Sequence, residues 1–93
     1  MNSPHNPTGK IFKEKDFEAI KSILIKFPHI IILSDEVYEM VSYINEFPWI
    51  GSHKNLWDRV ISIYSGGKTF SCTGWRIGWA IGPKDLIDEL KQN

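Results

Sequence analysis

Residues 29–36 read His-Ile-Ile-Ile-Leu-Ser-Asp-Glu. The first five form a near-continuous β-branched run without polar alternation, the pattern of a strand covered on both faces in a parallel sheet. Two carboxylates, Asp35 and Glu36, stand just past its C-terminal end. Working back from this run, Phe17, Ile20, Leu24 and Phe27 recur at helical spacing, with Ile23 beside them. They predict a helix over about residues 14–27, and Pro28 stops it. Residues 1–9 form a loop, broken by Pro4, Pro7 and Gly9. Working forward, Val41, Tyr43 and Phe47 suggest a short extended piece within residues 38–49, and Pro48 and Gly51 mark a loop. Residues 59–64 (Arg-Val-Ile-Ser-Ile-Tyr) predict a second strand, residues 65–74 a Gly/Ser/Thr-rich loop, and residues 77–81 a third strand. Gly82-Pro83 opens a last helix through Leu86, Ile87 and Leu90, with proline at the first helical position. Strands alternating with helices and feeding loops predict an α/β fold.

The composition narrows the functional classes. With 42% hydrophobic and 24% charged residues, the 93-residue chain reads as globular rather than disordered. Lys plus Arg and Asp plus Glu balance at 11 each, so nothing points to nucleic acid. No apolar run has membrane-spanning length, and residues 1–4 do not resemble a signal peptide. A single cysteine, Cys72, permits no internal disulfide and suggests a reducing compartment, cytoplasmic or mitochondrial.

Three clusters offer chemistry. Ser65-Gly66-Gly67-Lys68-Thr69 ends the second strand. A phosphate loop needs glycine six residues before the lysine, and Ser62 stands there. Lys68 is then either a Schiff-base lysine, for which Arg76 supplies a nearby cation, or a solvated surface residue, the commoner case for a lysine alone. In the second cluster, Ser34-Asp35-Glu36-Val37-Tyr38 lies where α/β sheets bind ligands. Asp35 suits a ring nitrogen there, or caps the next segment, while Tyr38 reaches the same ligand or packs as a core aromatic. In the third, the prolyl loop Asn2-Ser3-Pro4-His5-Asn6-Pro7-Thr8-Gly9-Lys10 either presents the Asn6 amide stiffly or is a plain turn. His5 reads as a turn residue, and His29, His53 and Cys72 show no metal-ligand spacing.

Taken together and in this order, the prolyl loop, Ser34-Asp35-Glu36-Val37-Tyr38-Glu39 and the block Ser65-Gly66-Gly67-Lys68-Thr69-Phe70-Ser71-Cys72-Thr73-Gly74-Trp75-Arg76-Ile77-Gly78-Trp79 resemble the class I/II aminotransferases. These are pyridoxal 5′-phosphate (PLP) enzymes of fold type I, and the wording is nearest to the kynurenine–oxoglutarate transaminase and cysteine-S-conjugate β-lyase branch. The resemblance covers essentially the whole chain. It implies part of a three-layer sandwich, with a mostly parallel sheet and residues 77–81 antiparallel. Lys68 matches the lysine that holds the cofactor covalently and shuttles a proton. Asp35 matches the carboxylate on the pyridine nitrogen, Asn6 and Tyr38 the groups on the ring oxygen, and Ser65 and Arg76 the phosphate contacts. Many relatives carry lysine where Arg76 stands, so the charge is kept. Lys13 stands where relatives often have a serine helix cap, which predicts a weaker cap.

The same resemblance implies amino acid and 2-oxo acid substrates and a homodimeric parent. Residues 1–93 then correspond to part of the PLP-binding large domain. The phosphate-binding glycine loop would precede the chain, and the arginine for the substrate carboxylate would follow it. Three strands and two helices are too few to cover both faces of a parallel sheet. We therefore expect an internal portion of a transaminase, inactive and poorly folded alone. The alternative is a short PLP-binding or decayed product without catalysis.

Overall fold

The computed structural model describes residues 1–92. Helix α1 spans Glu14–Lys26, β1 Ile32–Asp35, β2 Val60–Ser65, α2 Gly66–Thr69, β3 Gly78–Ile81 and α3 Lys84–Lys91. The sheet order is β1-β2-β3. β1 and β2 are parallel, with Ile32 opposite Val60 and Ser34 opposite Ser62. β3 returns antiparallel, setting Trp79 opposite Tyr64 and Gly78 opposite Ser65. Both orientations are those expected.

The core lies between α1 and one face of the sheet. Phe17 and Leu24 pack with Ile32, Val60, Ile50 and Leu56, and Ile20 and Phe12 press on the same cluster. Ile23 and Phe27, expected on this face, are about half exposed. Lys13 offers α1 no side-chain acceptor, but Asp16 compensates: the Lys13 backbone N–H donates to Asp16 Oδ2 at 2.8 Å. An acid in the first turn also suits the helix dipole. At the other end, Arg59 Nη1 donates to the Leu24 carbonyl at 2.7 Å and to that of Phe27 at 3.4 Å. These carbonyls have no partner within the helix.

Several boundaries differ from expectation. β1 begins at Ile32, and residues 29–31 lie outside it. The Ile30 N–H turns back to the Phe27 carbonyl at 3.2 Å, and pairing with β2 starts only at Val60. As the small number of helices led us to expect, β1 is covered on one face only: Ile32 and Ser34 are buried, while Leu33 is 51% exposed. α1 shields the first pair, and by alternation Leu33 points the other way. Residues 38–49 hold no strand. They contain a 3₁₀ turn at Glu39–Val41, and Trp49 Nε1 folds the stretch back onto Glu39 Oε2 at 2.8 Å. The loop expected at 65–74 contains α2 and a 3₁₀ turn at Thr73–Trp75. Here Phe70 and Cys72 donate their N–H groups to the Gly66 and Gly67 carbonyls at 2.9 and 3.0 Å. The third strand starts at Gly78, and Pro83 is the cap before α3 rather than its first residue.

One pairing escaped the sequence reading altogether. Asp35 N–H donates to the Met1 carbonyl at 2.8 Å, and Ser3 N–H donates to the Asp35 carbonyl at 3.0 Å. The start of the chain thereby lies parallel along the free edge of β1.

Candidate active site

Three segments meet at the ends of β1 and β2. The first is the prolyl loop. Asn2 holds it in place: Asn2 Nδ2 donates to the Asp35 carbonyl at 3.1 Å, and Asn2 Oδ1 accepts the Asn6 N–H at 2.9 Å. The Asn6 amide is then aimed outward, and Asn6 Nδ2 donates to the Tyr38 hydroxyl at 2.9 Å. His5 is a turn residue as expected, with Nδ1 2.8 Å from Thr8 Oγ1.

The second segment is the turn after β1. Asp35 Oδ1 accepts the Val37 N–H at 3.3 Å, so its carboxylate stiffens the turn that leads to Tyr38. Asp35 and Glu36 are neighbours with opposite surroundings. Alternation sends Asp35 to the face of Leu33 and Ser65. Glu36 is 1% exposed, and three hydroxyls donate to it: Ser34 at 2.9 Å, Ser62 at 3.4 Å and Tyr64 at 2.8 Å. Burial pushes the Glu36 carboxyl up from its ordinary value, and the three hydroxyls oppose that rise. Burial and the adjacent Glu36 carboxylate push the Tyr64 phenol well above its ordinary range.

The third segment is α2 with the turn beyond it. Gly66 and Gly67 are buried where β2 turns into α2. A side chain at position 67 would put its Cβ 2.9 Å from Thr73 Cα, so glycine lets the two backbones close. Lys68 emerges from this turn with Nζ 5.9 Å from the centre of the Tyr38 ring, at the outer limit of cation–π contact. An open cleft of about 330 Å³ is lined by Ser65, Gly67, Lys68, Thr73, Arg76, Ile77 and Gly78. Arg76 reaches it from a left-handed backbone conformation, φ 56°.

Of the six residues singled out in the sequence, Ser65, Lys68 and Arg76 share the cleft, and Asn6, Tyr38 and Lys68 form a contiguous row. Asp35 does not line the cleft; it connects to the row through Asn2. The cleft's donor set suits a phosphorylated ligand. It offers two cations and two hydroxyls with no carboxylate in the lining. Among the described residues, neither Lys68 nor Arg76 has an acidic partner within 4.0 Å.

The sequence model for aminotransferase class I and II matches residues 1–93. The chain belongs to that family. Among its relatives, kynurenine–oxoglutarate transaminase 3 of Bos taurus is 46% identical over 92 residues, covering 98% of this chain and 20% of the relative. Kynurenine–oxoglutarate transaminase of Dictyostelium discoideum is 40% identical, covering 97% of this chain and 21% of its own length. In three dimensions the chain superposes on YbdL of Escherichia coli, identified as a methionine aminotransferase, with a TM-score of 0.91 at 30% identity; the match covers 98% of this chain and 24% of YbdL. N-succinyldiaminopimelate aminotransferase of Mycobacterium tuberculosis gives a TM-score of 0.82 at 39% identity, over 95% of this chain and 23% of that one. The fold is thus a portion of the fold type I aminotransferase architecture. The chain spans about a fifth of the length of the curated relatives it matches.

The spacing of His and Cys alone overlooked one cluster of this aminotransferase segment, remote from the cleft. His53 Nε2 lies 2.8 Å from Glu14 Oε1 and 3.4 Å from Glu18 Oε1, and Lys21 reaches Glu18 at 3.4 Å. The signal was the i,i+4 spacing of Glu14 and Glu18 on α1. The cluster pins the connector before β2 to the helix. The Glu36 network was also missed, although paired carboxylates after a strand imply that one of them turns inward.

Proposed function

We propose that these residues form part of the PLP-binding large domain of a transaminase that moves an amino group from an amino acid to a 2-oxo acid. The observation that carries this reading is the row in which Asn6 holds the Tyr38 hydroxyl and Lys68 stands over the Tyr38 ring, beside a cleft shared with Ser65 and Arg76. Lys68 would hold the cofactor covalently and, once freed as an amine, would take the substrate's α-proton on its Nζ and hand it on. Asn6 and Tyr38 would bond the ring oxygen, Ser65 and Arg76 the phosphate. Asp35 would keep the ring nitrogen protonated. PLP bound in this way supplies an electron sink for the substrate's α-carbon.

The names of the relatives support kynurenine- or methionine-type amino donors. A glutamine or aromatic donor, β-elimination from cysteine conjugates, and a homodimeric parent belong to the same proposal. The 93 residues alone are proposed to be inactive and prone to associate. Leu33, all of β3, and Phe70 and Trp75 (70% and 75% exposed) leave wide apolar surface without cover.

The test is borohydride reduction of the full-length polypeptide with PLP, followed by peptide mapping and a transamination assay. The expected outcome is a reduced cofactor adduct on Lys68. Lys68→Ala should lose both adduct and turnover. Normal transamination by Lys68→Ala would refute the assignment.

A further inference from the structure

The proposed chemistry has no use for Glu36, yet Glu36 is the most deeply held charge among the described residues. An apolar side chain would fill its place without the desolvation cost of a buried carboxylate. What the carboxylate adds is connection. Ser34 donates to it from β1, and Ser62 and Tyr64 donate from β2. The Glu36 N–H also donates to the Ile63 carbonyl of β2 at 2.9 Å. Trp79 of β3 stacks on Tyr64, with ring centres 5.8 Å apart and planes 15° apart, which fixes the phenol. A single side chain therefore ties β1 to β2 where they deliver the site, and Tyr64 carries the tie on to β3 through Trp79.

The position of Glu36 in the chain gives this brace its meaning. Asp35 precedes it directly and Tyr38 follows two residues on. Tyr64, its strongest partner on β2, directly precedes Ser65 and the turn bearing Lys68. We infer that Glu36 is a positioning residue that sets the Asp35–Tyr38 turn against the Ser65–Lys68 segment from the opposite face of the sheet, without touching the cofactor. This rests on the PLP reading above. Glu36→Gln keeps the shape and gives each hydroxyl an amide partner, so the fold survives. It loses the carboxylate that draws three donors to one point, so the two halves of the site drift relative to each other.

The experiment uses the full-length polypeptide with PLP as the probe, in the wild type, Glu36→Gln, Tyr64→Phe and Leu24→Ala. PLP affinity and the visible circular dichroism of bound PLP are read beside urea unfolding. Glu36→Gln should unfold at a urea concentration close to the wild type. Its PLP affinity should fall about tenfold, the lower range for groups that orient a site from behind, and its induced dichroism should weaken. Leu24→Ala, in the core away from the cleft, should lower stability while leaving PLP affinity and dichroism unchanged. If Glu36→Gln does not fold, Tyr64→Phe is read by the same measurements, since it removes one donor and keeps the ring on Trp79. Wild-type affinity and dichroism in the folded variant would overturn the inference alone. A parallel loss in Leu24→Ala would overturn it too, by reducing the effect to general stability. A wild type that takes no PLP on Lys68 would overturn the functional reading together with the inference.

Discussion

Gly67 and Gly74 lie in the same connection between β2 and β3, and the structure separates them sharply. An added Cβ at position 67 would stand 2.9 Å from Thr73 Cα and 3.3 Å from Ser65 Oγ, whereas at position 74 it would meet nothing within 4 Å. Thr73 Cα is backbone and cannot rotate away, so Gly67→Ala must push the Thr73–Trp75 turn outward. Overpacking of this kind costs about 1–3 kcal/mol. The movement also stretches the Cys72 N–H bond to the Gly67 carbonyl, now 3.0 Å, and a weakened hydrogen bond adds up to about 1 kcal/mol. Gly74→Ala should change stability by no more than about 0.5 kcal/mol. The assay is urea unfolding of the full-length polypeptide followed by tryptophan fluorescence, with PLP affinity measured on the same samples. Gly67→Ala should lower both, because Arg76 follows the displaced turn. Equal midpoints for the two variants would refute the argument that backbone contact requires glycine at position 67.

Three further outcomes follow from other contacts of the fold. Arg59→Ala should destabilise by about 1–2 kcal/mol by leaving the last carbonyls of α1 without a charged donor; amide exchange should show the helix fraying first near Leu24, and uniform protection would count against the cap. Tyr64 prefers its neutral form in the fold, so its contribution is present below its unfolded value near 10.0 and is lost as pH climbs beyond that. Wild type should therefore lose stability above about pH 10 more steeply than Tyr64→Phe. Glu36 has the same sign at the acid end: its contribution is greatest below the ordinary 4.5 and declines as pH rises through its raised folded value. Superimposable pH profiles for wild type and Glu36→Gln below neutrality would contradict this.

The helix, three strands and their order were legible because periodicity and β-branching report burial by a neighbouring layer. Strand ends were not, because they depend on partners: β1 starts where Val60 becomes available, and residues 29–31 have the right composition without a partner. β1 has the composition of a strand buried on both faces, yet the described elements cover only one, as two helices being too few for both faces led us to expect. That Ser65, Lys68 and Arg76 lie together, and Asn6 with Tyr38, was legible only through resemblance, because their residue types alone left each ambiguous. The helical turn in the lysine connection was hidden because glycine-rich sequence reads as loop. Here the two glycines permit a close backbone approach that only tertiary structure reveals. Glu36 was hidden by its neighbour. Side by side, the two acids look equivalent until the pleat sends one to the face of Leu33 and Ser65 and the other inward.

The sheet joins its strands by two kinds of connection. β2 and β3 are antiparallel neighbours closed by a short link, whereas β1 and β2 are parallel and connect through residues 36–59. Closing a longer loop costs more chain entropy, and non-local pairing is slow. The hairpin carrying Ser65, Lys68 and Arg76 is therefore expected to close first. The segments bearing Asn6, Asp35 and Tyr38 would join it afterwards, an order that pulsed hydrogen exchange during refolding would test. In that order an anion would meet the two cations of the hairpin before Asn6 and Tyr38 are in place, so topology rather than affinity would set the sequence of capture and alignment.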